Sequence, residues 1–537
     1  MSRANPLMLA VFLAVVLAAM VGPAFLKGGV YLTAFEGDAL HVVDVAMRMH
    51  LGQIPHLEFH TPLGAMAFLP IAWMLGFGAP LGMAYLGAQA LMAALVLPLA
   101  FWAAWTRLPK RTAFVFAAMP IIVMASLSYG TAEPPVTIAM HYNRWAWALA
   151  FVVAILIALP PRTPARPFVD GAVLGIALAG LALIKAPYFV ALAPVAVIAL
   201  ILRGQGRAFA AMAATGLTIA ALATVAYGLG FWAGYVQDLL AVAGSDIRAH
   251  PGIPLAAVAV SPPFLATTLT AVAGALLLRQ AGMPVTGLIL FLLIPGFIYL
   301  TFQNFGNDPL WVIPLAVILT ASVPEAGRKA SFGLEARQAG TVLAAIAVAL
   351  SLPHAQSLAS GGLRHLALPQ GEFEPMIASS NPVYDGIYVA TVRANTTRAA
   401  GDLTAPDAAF SALAGTLDPK EPVRVAGEPL PDCRFESGII GASRLVAEDI
   451  GPGADAVFVA DMLAPHWMFT GSAPLTGAAP WNYGDTLGID RATELVVPIC
   501  AISTASRRGT LDKIAAEGIV LREVARTPRI IRYAIER

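Results

Sequence analysis

Asp38, His41, Asp44, Arg48, His50, His56, Glu58 and His60 crowd into residues 35–62 of a chain in which only 12% of residues are charged. Carboxylates, imidazoles and a guanidinium at this density suit proton transfer beside an anionic group. Asp38 can take a proton from a hydroxyl nucleophile if its pKa rises toward neutrality, through partial burial or through a neighbouring acid such as Glu36 or Asp44. Arg48 and His41 are the local groups for holding a phosphate leaving group. A helix over residues 40–51 would set Asp44 and Arg48 four apart on one face, with Asp38 just before it. Gly52-Gln53-Ile54-Pro55 would end that helix and Thr61-Pro62-Leu63-Gly64 would turn the chain back. The plain alternative is a set of solvated loop charges.

The elements that must position these groups are apolar. Hydrophobic residues make up 58% of the chain and the mean hydropathy is +0.74. A hydrocarbon environment admits only helices or closed barrels, and long runs without period-two alternation are helices. Candidate spans cover residues 8–26, 63–77, 81–105, 113–127, 145–159, 171–184, 188–202, 209–228, 254–278, 285–301, 310–322 and 341–352. The first reads as an anchor rather than a cleaved leader, since the residues after it give a poor small-residue cleavage pattern. The expected fold class is a polytopic α-helical membrane protein with 11 to 13 spans and a C-terminal soluble α/β domain. Net charge is +1, which gives no reason to propose a nucleic-acid partner.

Basic residues mark five connections: Arg107/Lys110/Arg111, Arg162/Arg166, Arg203/Arg207, Arg279 and Arg328/Lys329/Arg337. If all five are cytoplasmic, the loop 128–143, the break at Lys185, the segments 230–253 and 303–309 and the C-terminal part collect on the opposite side. The beginning of the chain conflicts with this. Two full crossings between residues 63 and 105 would put Arg107 on the wrong side, so either that stretch holds one crossing plus a re-entrant piece or a loop is misplaced.

Several residues outside the first loop are candidates for binding. Glu133, His141 and Arg144 share one connection, where Glu133 would steer an acceptor and Arg144 would bind phosphate; capping and interfacial anchoring are the duller reading. Lys185 is either a carrier-phosphate contact or an interfacial anchor. Arg248 and Asn307 lie in polar connections suited to a donor or a sugar, or to turn and cap formation. Past residue 353 charges, Pro and Gly become frequent and short apolar runs alternate with a helical pattern, so a membrane domain 1–353, with its first loop at 27–62, and a soluble α/β domain 354–537 are expected. Asp461, His466, Trp467, Trp481, Asn482, Tyr483 and Asp485 there would form either a sugar-binding lip or fold supports. Cys433 and Cys500 are one disulfide if that domain faces an oxidising compartment, or two buried thiols. Neither a nucleophile elbow nor a phosphate loop is present.

Gly37-Asp38-Ala39-Leu40-His41, Arg48-Met49-His50-Leu51-Gly52-Gln53-Ile54-Pro55 and Glu58-Phe59-His60-Thr61-Pro62-Leu63-Gly64 resemble the first loop of the GT-C superfamily of integral membrane glycosyltransferases, which take sugars from polyprenyl-phosphate carriers. Protein O-mannosyltransferases and aminoarabinose transferases belong to that superfamily. The match covers residues 36–64, is architectural to about 353 and is absent beyond. Asp38 matches the superfamily's catalytic acid; Ala39 stands where the common Asp-Glu pair has its second carboxylate, with Asp44 as an internal rival and Glu58 behind it. The resemblance implies inverting transfer at an extracytoplasmic face of a bacterial inner membrane, from a polyprenyl-phosphate sugar to a hydroxyl of a glycan, lipid or protein. No organic cofactor is implied, and a divalent cation is compatible with it. Two other classes compete: a lipid-linked glycan transporter or flippase, and a scaffold displaying its C-terminal domain. Inverted repeats and mid-membrane charges would favour the transporter, and apart from Lys185 neither is evident.

Overall fold

The computed structural model describes residues 4–128, 135–245, 247, 254–303, 309–330, 333–395, 398–401, 423–431 and 433–536. Helix α1 (Pro6–Lys27) starts with Asn5 accepting from the Met8 N–H and Pro6 at the first helical position, and stops at Gly28 in the left-handed region. Strand β1 (Val30–Leu32) and helix α2 (Glu36–His50) follow. The expected span 63–77 instead folds as a 3-10 turn, Ala65–Ala67, and helix α3 (Leu69–Gly76) of 8 residues. At 1.5 Å per residue α3 is about 12 Å long, too short for a hydrocarbon core of about 30 Å. The stretch fits the re-entrant alternative.

The bundle continues with α4 (Leu81–Arg107), α5 (Lys110–Ala125), α6 (His141–Ala158), α7 (Pro167–Ile184), α8 (Ala186–Leu202) and α9 (Gly206–Tyr227). Then come α10 (Gly230–Ala243), α11 (Leu255–Val260), α12 (Pro262–Gln280), α13 (Pro284–Phe302), α14 (Val312–Ala321) and α15 (Ala336–Ala367). Eight of these helices have the length and composition to cross a membrane. The shorter α5, α8 and α14 would bring the traverses among the described residues to eleven, the low end of the expected range. The expected span 254–278 is divided at Ser261, where Pro262 opens a new helix.

Setting α3 aside as re-entrant removes the topological conflict. The basic connections meet at one end of the bundle. Arg107 pairs with Asp170 at 2.7 Å, Arg162 donates to the Ala321 carbonyl, Arg203 to that of Ala158 and Arg328 to that of Ala281. At the other end the first loop packs on the ends of α7 and α15: Gly64 N–H donates to the Ile184 carbonyl and Tyr31 N–H to His365 Nε2.

The boundary expected at 353/354 falls inside α15, which runs 32 residues. Beyond it, β2 (Phe373–Pro375) and β3 (Ile387–Ala390) form a sheet in the order β1-β3-β2, with β1 parallel to β3. The first loop thus supplies a strand to the C-terminal region. Gly82 at the head of α4 seals the same junction, since a Cβ there would lie 2.0 Å from the Gly386 carbonyl oxygen. Next come α16 (Thr391–Asn395), β4 (Arg398–Gly401), β5 (Arg424–Val425), β6 (Glu428–Pro429), β7 (Cys433–Ser437), α17 (Ile439–Ile450), β8 (Val457–Val459), α18 (His466–Thr470), β9 (Glu494–Pro498), α19 (Thr504–Ala516), β10 (Val520–Arg526) and β11 (Ile530–Glu536). The main sheet has the order β10-β11-β9-β8, with β8 and β9 parallel, as in a small α/β unit.

Cys433 and Cys500 are joined as a disulfide across 67 residues. Both are buried in the core of this unit. Replacing both by Ser is expected to lower the unit's unfolding free energy by about 2–4 kcal/mol. Limited proteolysis of the full chain over a urea series checks it, and unchanged protection would exclude a stabilising bridge.

Candidate functional site

Helix α2 begins earlier than its sequence pattern suggests. Phe35 adopts φ +63° and caps the helix from the left-handed region, so Glu36 and Asp38 occupy the first turn instead of preceding it. A carboxylate in a first turn is favoured by the unpaired N–H groups and the dipole there. The helix is wedged between the bundle and the C-terminal region, and most of it is buried. Gly37 faces Ile439 and Leu463. Its charges are therefore not solvated loop charges.

The acids of this segment have different surroundings. Glu36 forms a two-point ion pair with Arg393 of α16. Asp44 lies 2.5 Å from Arg48 Nε and accepts from Trp467 Nε1 at 3.2 Å. Arg48 also donates to Gln53 and to the Leu475 carbonyl. Each charge neutralises the other and the pair joins α2 to the C-terminal region, an arrangement that suits a fold support better than a base or a phosphate ligand. Glu58 accepts from the Ile54 N–H and closes its own turn. Asp38 remains partly buried.

His41, His141, Arg144 and Lys185 are brought together. The His41 ring meets Phe68 and Trp481 edge-on, at 6.0 and 5.5 Å between centroids, and Phe68 meets His141 at 5.9 Å. His141 Nε2 is 2.7 Å from the Ala67 carbonyl, which belongs to the re-entrant piece. Tyr85 packs on His141 and accepts from Arg144. Lys185 sits at the extended break between α7 and α8, donates to Asn143 Oδ1 at 2.7 Å and lies over the Tyr142 ring. Both cations are buried. Buried charge in an apolar bundle is expensive and marks a functional place more often than an anchor. Met140, just before α6, also has positive φ, as does His56; strained backbone of this kind gathers at functional sites.

Beside this group lies a cavity of about 570 Å³ between the first loop, α10 and α19. Its walls include His60, Asp238, Trp481, Asp485, Arg508 and Lys513. Of the aromatic and polar residues expected to form a lip, Trp481, Asn482, Tyr483 and Asp485 line it. Asp461 instead accepts from the backbone N–H groups of Met462, Ile502 and Ser503, and Trp467 supports Asp44. Asp238 was not legible as a site residue. It accepts from His56 Nδ1 at 2.7 Å, His60 Nδ1 at 2.6 Å and the Thr61 N–H. A lone carboxylate in an apolar helix was the available signal.

Glu133, Arg248 and Asn307 lie outside the described residues. Among the described residues no three His, Cys, Asp or Glu side chains converge as a metal site. No protein-family model and no curated protein matches the chain. Among solved structures, the chain is similar to the crystal structure of ArnT from Cupriavidus metallidurans bound to undecaprenyl phosphate, over 99% of this chain and 98% of that one, at 12% identity and a TM-score of 0.37.

Proposed function

We propose that this chain is a membrane glycosyltransferase that moves a sugar from a polyprenyl-phosphate carrier to an acceptor hydroxyl, with Asp38 as general base. One observation carries the reading. The first turn of α2, which bears Asp38, lies at the same bundle end as the buried cations Arg144 and Lys185, linked through His41, Phe68 and His141. His41 is three residues from Asp38 and shares its helix face. An acid and two desolvated cations suit displacement of a phosphate from an anomeric carbon.

In the step proposed, Asp38 takes the proton of the acceptor hydroxyl as its oxygen bonds to the anomeric carbon. The bond from that carbon to the carrier's phosphate oxygen breaks, and the polyprenyl phosphate leaves with the electron pair. Arg144 and Lys185 offset the charge that gathers on it, which is worth most where water is excluded. Attack opposite the leaving group inverts the anomeric centre.

Two features support an extracytoplasmic site in a bacterial inner membrane. Eleven traverses, with all five basic connections taken as cytoplasmic, would leave α2, the cavity and the C-terminal region on the other side. The disulfide fits an oxidising compartment. The test is purified full-length protein with a panel of polyprenyl-phosphate sugars, scoring release of polyprenyl phosphate and labelling of a cell-envelope extract. Release dependent on the extract is the expected result, and no release from any donor would overturn the reading.

A further inference from the structure

The Asp38 step leaves unused a second carboxylate–imidazole arrangement that opens on the cavity. Asp238 sits on α10 facing the first loop, where His56 and His60 take one carboxylate oxygen each and the Thr61 N–H shares that of His56. Burial pushes the Asp238 carboxyl up, but these three donors outweigh it and hold the group below its ordinary value. An ionised carboxylate only accepts, so both imidazoles donate through Nδ1–H.

The two histidines then differ. His56 is sealed, its ring stacked on Tyr235 at 4.5 Å. His60 keeps 29% of its side chain exposed and lines the cavity. With Nδ1 committed to Asp238, the nitrogen His60 offers to the cavity is Nε2, a hydrogen-bond acceptor whenever the ring is neutral. The tautomer is fixed by a second group, as in carboxylate–histidine pairs of catalytic sites.

The rest of the lining indicates what meets that acceptor. The volume falls in the range of small-molecule pockets. Trp481 supplies an aromatic wall, and the charged groups facing His60 from other elements are of both signs: Asp485 paired with Lys513 at 3.1 Å, with Arg508 and Asp512 on the same helix, α19. Mixed donors and acceptors around an aromatic wall suit a polyhydroxylated ring better than an anion or a lipid chain.

We propose that the cavity binds a saccharide unit of the acceptor, and that His60 Nε2 accepts a hydrogen bond from one of its hydroxyls while Asp238 positions the imidazole. The proposal rests on the glycosyl-transfer reading, and its test is a binding measurement that needs no turnover. Saturation-transfer NMR on the full-length protein would use the methyl glycosides of glucose, galactose and N-acetylglucosamine as probes. The wild type is expected to bind at least one, and His60→Phe to weaken that binding about tenfold. His60→Gln, which keeps an acceptor, should recover part of it, whereas a purely structural histidine would not separate the two variants. No binding of any probe, or equal binding by His60→Phe, would overturn the proposal. Saccharide binding by a protein that releases no polyprenyl phosphate from any donor would overturn the transfer reading instead.

Discussion

Asp38→Asn is expected to lower the rate of polyprenyl-phosphate release by about 10²–10⁴-fold, the range that loss of a general base produces. The substitution keeps the shape of the side chain and removes only its capacity to take a proton. The first turn of α2 should tolerate it, because the amide oxygen can still accept from the N–H groups there. Thermal unfolding should therefore stay close to wild type while turnover falls. The discriminating control is Asp44→Asn. Asp44 is held by Arg48 and Trp467 and closed off from any ligand, so its loss should reduce folded yield before it reduces turnover per folded molecule. Full activity in Asp38→Asn would remove Asp38 from the mechanism. Because Asp44 is sealed, the search for the base would then move to His60.

The apolar helices were legible because hydrocarbon burial leaves continuous runs, and the observed helices follow those runs closely from α4 to α9 and again at α13 and α14. Residues 63–77 were not, since a re-entrant piece packed inside protein is as apolar as a crossing and composition cannot tell them apart. Strand β1 was equally hidden. Three residues carry no periodicity, and its partner β3 lies at the far side of the membrane bundle in sequence. Within the candidate site, the crowding of residues 36–64 marked helix α2, but its acids looked alike on paper. Their surroundings separate largely through partners distant in sequence: Arg393 for Glu36, Trp467 for Asp44. The same holds for Asp238, whose histidines lie 182 and 178 residues away.

Asp44→Ala is the substitution expected to cost most in stability, about 3–5 kcal/mol. Side chains of Asp44 and Arg48 are 3% and 2% exposed, so removing the carboxylate strands a guanidinium away from water. The remaining partners of Arg48, Gln53 and the Leu475 carbonyl, carry no negative charge to offset it. His466 does not worsen the balance, because burial and then the nearby Arg48 push it down to about 4, so it is neutral at pH 7. If the cost comes from the stranded charge rather than from lost packing, Asp44→Ala combined with Arg48→Met should recover a large part of it, since apolar replacement of a buried pair is often neutral. The recovery should be incomplete: Trp467 Nε1, Gln53 Oε1 and the Leu475 carbonyl each lose a hydrogen bond in the double variant, at about 1 kcal/mol apiece. Urea unfolding of the full chain, followed by protection of the C-terminal region from proteolysis, reads both variants. A double variant as unstable as Asp44→Ala would show that packing and hydrogen bonding across this junction, not the ion pair, hold α2 against the C-terminal region.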